Sequence, residues 1–121
     1  MNIRSFDHIV LTVSDFNRSV AFYTQVLGMC HEGRSLHFGH SKINLHRHAG
    51  EFSPSAKTPI SGSADFCLVV DGDIHQIAKQ IKAAGVVIEL GPIAREGACG
   101  SMQSIYLRDP DGNLVELASY A

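Results

Sequence analysis

The opening segment FDHIVLTV (6–13) returns 57 residues later as SADFCLVV (63–70), in register and without a gap. Both segments alternate as a strand does, because successive side chains on a strand point to opposite faces. Ile9, Leu11 and Val13 share one face with His8, Val10 and Thr12 opposite; Phe66, Leu68 and Val70 share one face with Asp65, Cys67 and Val69 opposite. A helix follows each time. SDFNRSVAFYTQVLG (14–28) has Ser14 or Asp15 as cap, Phe16, Val20, Tyr23 and Leu27 as its apolar stripe, and Gly28 as its stop. GDIHQIAKQIKAAG (72–85) has Ile74, Ile77, Ala78 and Ile81 as stripe and Gly85 as stop. A shift of 72 then sets NLVEL (113–117) on SKINL (41–45), matching Glu116 to Asn44. Self-similarity of this kind means two copies of one supersecondary unit. Each copy reads as strand, helix, then two or three more strands.

The rest of the chain fits around that repeat. Short strands are expected around 34–39 and 42–47 in the first copy. AGEFSPSAKTPISG (49–62) is rich in Pro, Ser and Gly and reads as a linker between modules at 4–48 and 63–120 of a single domain. GPIAREGACGSM (91–102) reads as a second irregular stretch. It precedes a hairpin of QSIYLR (103–108) and NLVELAS (113–119) joined by a DPDG turn of type I.

Composition excludes several classes. With 121 residues and a net charge of -2, the chain has no general attraction for nucleic acid or an anionic membrane surface. No apolar run approaches the ~20 residues that span a bilayer, and the start lacks the form of a signal peptide. Cys30, Cys67 and Cys99 are odd in number and far apart, so they read as reduced thiols rather than disulfides or a zinc motif. A cytoplasmic protein is the expectation.

Glu116 is the residue that points to chemistry. It stands between Val115 and Leu117 on the last strand, so its face is either solvent or a cavity that accepts a carboxylate. The repeat relates Glu116 to Asn44 and His8 to Asp65. A buried, isolated carboxylate raises its pKa or costs several kcal/mol, and a cation beside it removes that cost.

FDHIVLTVSDFNRSVAFYTQVLGM (6–29) and IYLRDPDGNLVEL (105–117) resemble the two ends of the vicinal oxygen chelate superfamily, which holds glyoxalase I, fosfomycin- and bleomycin-resistance proteins, methylmalonyl-CoA epimerase and extradiol dioxygenases. KINLH, GSADFCLVV and RDPDGNLVEL are most similar to the branch called glyoxalase-domain-containing protein 5. The resemblance implies an α+β fold of two tandem βαβββ modules whose sheet curls around a cleft. It implies a divalent metal (Zn, Ni, Mn or Fe) held by His8 and Glu116 at positions that match the family pattern, and by Asp65 and Asn44 at positions that depart from it. Asp65 stands where most metal-binding members have histidine; Asn44 stands where glyoxalase I has glutamate, and an amide cannot accept the proton that a carboxylate base would.

His46 lies two residues beyond Asn44 on the same face, roughly 6.5 to 7 Å along the strand. It can join His8 and Glu116 on the metal or stay off it as a general base, and the second role is preferred. Arg95, in the irregular stretch, is expected on a flexible lid over an anionic substrate. The stretch lacks GK[ST], so it is no phosphate-cradling P-loop. His48 is expected at the rim, His31, His37, His40 and His75 in solvent, and Cys67 as a buried small hydrophobe. The activity implied is that of a lyase or isomerase on a small α-oxo or α-hydroxy compound, with Glu116 and His46 in catalysis. The alternatives are a metal-free small-molecule binder of the bleomycin-resistance type, and an extradiol-type dioxygenase. A homodimer is expected, as for short chains of this family.

Overall fold

Asp15 and Asp73 open the two helices: each carboxylate accepts a backbone N–H one turn in, from Arg18 at 3.0 Å and from His75 at 3.0 Å. Gly28 and Gly85 close them with φ of 73° and 82°, a left-handed conformation that costs other residues strain. The computed structural model describes residues 1–121. It divides into two units, Met1–Ser63 and Ala64–Ala121.

Unit 1 contains β1 (His8–Thr12), α1 (Phe16–Ala21), β2 (Cys30–Glu32), β3 (Ser35–Phe38) and β4 (Ser41–His46). One π-helical turn, Phe22–Val26, continues α1. Within it the Thr24 hydroxyl donates to the Val20 carbonyl at 2.7 Å. The strand order is β1-β4-β3-β2, with β1 parallel to β4 and the others antiparallel. Leu11, Val13, Leu36, Ile43, Leu45 and Tyr23 are buried and make its core.

Unit 2 repeats the plan with β5 (Asp65–Val69), α2 (Ile74–Ala83), β6 (Leu90–Gly97), β7 (Gly100–Arg108) and β8 (Leu114–Ser119), ordered β5-β8-β7-β6. Here α2 lies against β6 and β7. Ile74, Ala78 and Ile81 of the helix are buried, as are Ile105, Leu107, Val115 and Leu117 of the sheet. Each unit is therefore a βαβββ module with a four-stranded sheet, and the fold is α+β. The repeat is accurate to the residue at its first strand, since β5 is β1 moved by 57 positions. It extends to pairing: Val10 is in register with Asn44 in unit 1, and the equivalent Cys67 with Glu116 in unit 2.

One expectation needs correction, and one short strand lies outside the segments read as strands. Residues 91–102 are not irregular, because β6 and the start of β7 form an antiparallel hairpin there, with a register shift between Leu90 and Ile93 that absorbs Gly91 and Pro92. Proline donates no hydrogen bond and is tolerated on an outer strand or at a bulge, and β6 is both outermost and bulged. The three-residue β2 went unpredicted because CHE has no alternation to detect. The DPDG turn forms as expected: Gly112 N–H donates to the Asp109 carbonyl at 3.0 Å.

Candidate functional site

Each sheet has a face opposite its core, and the chemistry-bearing residues gather there. In unit 1 that face carries His8 and Val10 from β1, beside Lys42, Asn44 and His46 from β4. His8 is exposed, and its Nδ1 lies 2.7 Å from Asp7 Oδ1, which leaves Nε2 without a protein hydrogen bond. That contact is the main reason the Asp7 carboxyl sits below the usual range; the charges of His8 and Lys42 add to it. Asn44 accepts the Ser35 hydroxyl at 2.8 Å on its amide oxygen. His46 is buried at 8% exposure, its ring centroid 5.2 Å from that of Phe52. Phe52 also receives the Arg34 guanidinium, 3.6 Å above its ring. So His46 lies under an aromatic cover that the sequence did not announce, because Phe52 belongs to the stretch read as a linker.

In unit 2 the corresponding face carries Asp65 and Cys67 from β5, Glu116 from β8, Ser104 and Tyr106 from β7, and Arg95 from β6. Glu116 is half-buried, and its Oε2 accepts the buried Ser104 hydroxyl at 2.7 Å. Val115 and Leu117, on the other face, are 0% and 2% exposed. A carboxylate in an apolar strand is thus accommodated by alternation plus one hydroxyl partner. Ser104 was missed from sequence, because a serine two residues before a tyrosine carries no signal until the register is known. Tyr106 is in register with Glu116, and its phenol oxygen accepts from Arg95 Nε at 2.9 Å. Arg95 therefore sits on a strand, clamped by Tyr106, and not on a flexible lid. Asp65 is exposed; the Arg108 guanidinium is favoured in its protonated form chiefly by its hydrogen bond to Glu89, and the Asp65 charge adds the smallest part.

Cys67 corrects another expectation, being exposed rather than buried. Neighbouring protein atoms still strip enough water from its thiol to raise its pKa from 9.0 to about 11. The Glu116 charge and a hydrogen bond to that carboxylate add to the rise.

The four metal-ligand candidates fall two to a unit, His8 and Asn44 in the first, Asp65 and Glu116 in the second. No group of three or more His, Cys, Asp or Glu side chains comes together in the chain as folded here. The donors themselves suit a divalent cation. An imidazole whose other nitrogen is held by a carboxylate, and a carboxylate held by a hydroxyl, are what oriented ligands have around them. One imidazole, two carboxylates and an amide oxygen form a hard to borderline set.

Comparison with known proteins gives this arrangement its relatives. The chain is 45% identical to virulence protein STM3117 of Salmonella typhimurium, covering 99% of this chain and 87% of that one. It is 44% identical to the glyoxalase domain-containing protein RDO1 of Mycosarcoma maydis (99% and 70% covered), and 34% identical to metallothiol transferase FosB of Staphylococcus epidermidis (97% and 82%). The crystal structure of the Salmonella virulence protein superposes with a TM-score of 0.96 over 100% of both chains. TnmS3, an antibiotic binding protein from Streptomyces sp. CB03234, shares the fold at 21% identity, with a TM-score of 0.76 over 100% and 99%. The family pattern described as Glyoxalase/Bleomycin resistance protein/Dioxygenase superfamily matches residues 5–117, nearly the whole repeat from the strand of His8 to the strand of Glu116. Two βαβββ units of this kind are the fold of that superfamily, and the chain belongs to it.

Proposed function

We propose that the chain is a divalent-metal-dependent lyase or isomerase acting on a small α-oxo or α-hydroxy compound, with His8 and Glu116 as principal metal ligands and Asp65 and Asn44 as weaker ones. The observation that carries this reading is Glu116, a half-buried carboxylate in an apolar strand whose Oε2 accepts the Ser104 hydroxyl at 2.7 Å and which the Cys67 thiol also faces. A bound cation supplies a Lewis acid able to draw two adjacent oxygens of the substrate. Arg95, held by Tyr106, orients an anionic group of the substrate beside Glu116. His46 carries the proton that Asn44 cannot take, which requires Phe52 to move from its ring. Names such as glyoxalase domain-containing protein and metallothiol transferase among the relatives are consistent with metal-assisted chemistry on small molecules. A homodimer is part of the proposal.

The test is metal uptake by untagged protein offered Mn, Fe, Ni and Zn, followed by turnover of a panel of α-oxo and α-hydroxy compounds. Near-stoichiometric metal, lost in Glu116→Gln and in His8→Ala, together with metal-dependent turnover, supports the reading. A protein that takes up none of the four metals overturns it.

One observation favours a second reading, a metal-free small-molecule binder. Asn44 spends its amide oxygen on Ser35, as a wall residue of a binding surface does. Ligand binding that persists after chelation, with no turnover, distinguishes it.

A further inference from the structure

His8 begins β1, and its register partner is Lys42. The residue before it, Asp7, is tied to the same neighbouring strand, because its carbonyl accepts the Lys42 N–H at 3.3 Å. Its carboxylate turns back to the imidazole, with Oδ1 2.7 Å from Nδ1. A carboxylate only accepts hydrogen bonds, so at this distance Nδ1 must carry the proton. In the neutral ring the lone pair is then on Nε2, which has no protein partner. An imidazole not held in this way divides between two tautomers and rotates about its side-chain bonds, and in one of those tautomers Nε2 carries an N–H that cannot bind a cation. Asp7 is exposed, so the contact adds little to the stability of the fold.

We infer that Asp7 is a positioning residue: its carboxylate fixes the tautomer and orientation of His8 so that Nε2 is presented as the donor to a divalent cation. This rests on the reading of His8 as a metal ligand and deepens it. Asp7 touches neither metal nor substrate, so its effect is on affinity through His8. Partners of this kind typically change metal affinity about 10–100-fold. The negative charge also makes the ring a better donor, so an amide in its place retains geometry but loses part of the effect.

The experiment uses the full chain, free of metal, with Asp7→Ala and Asp7→Asn beside the native protein. Ring nitrogen chemical shifts of His8, read above pH 8, report the tautomer; Mn and Zn titrations report affinity. The native protein is expected to show His8 protonated at Nδ1. Asp7→Ala is expected to shift the ring toward a mixture and weaken metal binding about 10–100-fold with an unchanged urea midpoint. Asp7→Asn should fall between. The inference is overturned if Asp7→Ala leaves the tautomer as it was, or leaves affinity within twofold of native. The two readouts separate the ideas: a native protein that binds neither metal sinks the proposed function. The tautomer then decides alone whether Asp7 governs His8.

Discussion

Cys67 and Glu116 oppose each other as register partners across the parallel β5–β8 pair, and the Cys67 thiol has its pKa raised from 9.0 to about 11. Partial burial is the larger cause; the carboxylate contributes by its charge and by accepting the S–H. An exposed cysteine is usually the first to react, but reaction needs the thiolate, and here a second negative charge beside Glu116 opposes it. Iodoacetamide at pH 8 should therefore label Cys30 and Cys99, which are also exposed, about tenfold faster than Cys67. Glu116→Gln should accelerate Cys67 labelling several-fold. Equal rates for all three thiols would refute this.

The same shift predicts a pH dependence of stability. Folded Cys67 holds its proton to a higher pH than the unfolded chain does, so its contribution is complete below pH 9 and is lost as pH rises toward about 11. Urea midpoints measured from pH 8 to pH 10.5 should decline, and the decline should be smaller in Cys67→Ser.

Asn113 joins the DPDG turn to the first strand of unit 2. Its Nδ2 donates to Asp109 Oδ2 at 2.8 Å and its Oδ1 accepts the Ala64 N–H at 2.9 Å, while the side chain is 1% exposed. Asn113→Ala leaves a buried carboxylate oxygen and a backbone donor each short of a partner. The cost should be about 2–4 kcal/mol, at one to a few for each unsatisfied group, read as a lowered urea midpoint with an unchanged slope. A loss below 1 kcal/mol would mean that water replaces both bonds.

How much of this was legible in sequence depends on the physics each feature uses. The repeat was visible because alternation and glycine stops are local signals, and β1 and β5 repeat with the same bounds. The separation of Glu116 from Val115 and Leu117 follows from alternation alone. The strand at 90–97 was not legible, since Gly91, Pro92 and Gly97 punctuate it as a loop would, and only pairing with β7 makes it a strand. Ser104 and Phe52 were invisible for the same reason. Their partners, Glu116 and His46, lie 12 and 6 positions away, and nothing in composition brings them together. Misreading the 90–97 strand is also what put Arg95 on a lid.

Gly91 connects backbone geometry to the site. Its φ is 107°, and a Cβ there would run into the carbonyl oxygen of Ser104 and approach Ile105 Cα at 3.0 Å. Both obstacles are backbone of β7, which cannot swing aside. Gly91→Ala should cost about 2–4 kcal/mol from strain and overpacking together. If the sheet yields instead, Ser104 moves and Glu116 loses its hydroxyl partner. Metal uptake should then fall in Gly91→Ala more than in Asn113→Ala, although both are destabilised. Equal uptake in the two variants would show that Ser104 keeps its place.

Phe52 packs against the buried His46 imidazole, and its removal is expected to open His46 to solvent. Its ring contacts both the Arg34 guanidinium and the His46 imidazole, and the turn that carries it is held by Glu51, which accepts the Arg47 N–H at 3.0 Å and pairs with its Nη1 at 3.4 Å. That backbone bond is the first cause of the lowered Glu51 pKa; the stability it lends is present above the usual glutamate pKa and is lost as pH falls through the folded value. Removing the ring in Phe52→Ala should cost about 1–2 kcal/mol, because Phe52 is itself 38% exposed and loses one cation–π contact and part of an apolar face. Diethyl pyrocarbonate should then modify His46 several-fold faster than in the native protein, with His75, on the surface of unit 2, as the internal standard. If His46 carries a proton in turnover, the variant should change kcat more than KM, and His46→Ala should abolish that difference. An unchanged modification rate would show that Phe52 is not what covers the imidazole, and the proton-carrying role would then have no gate to explain.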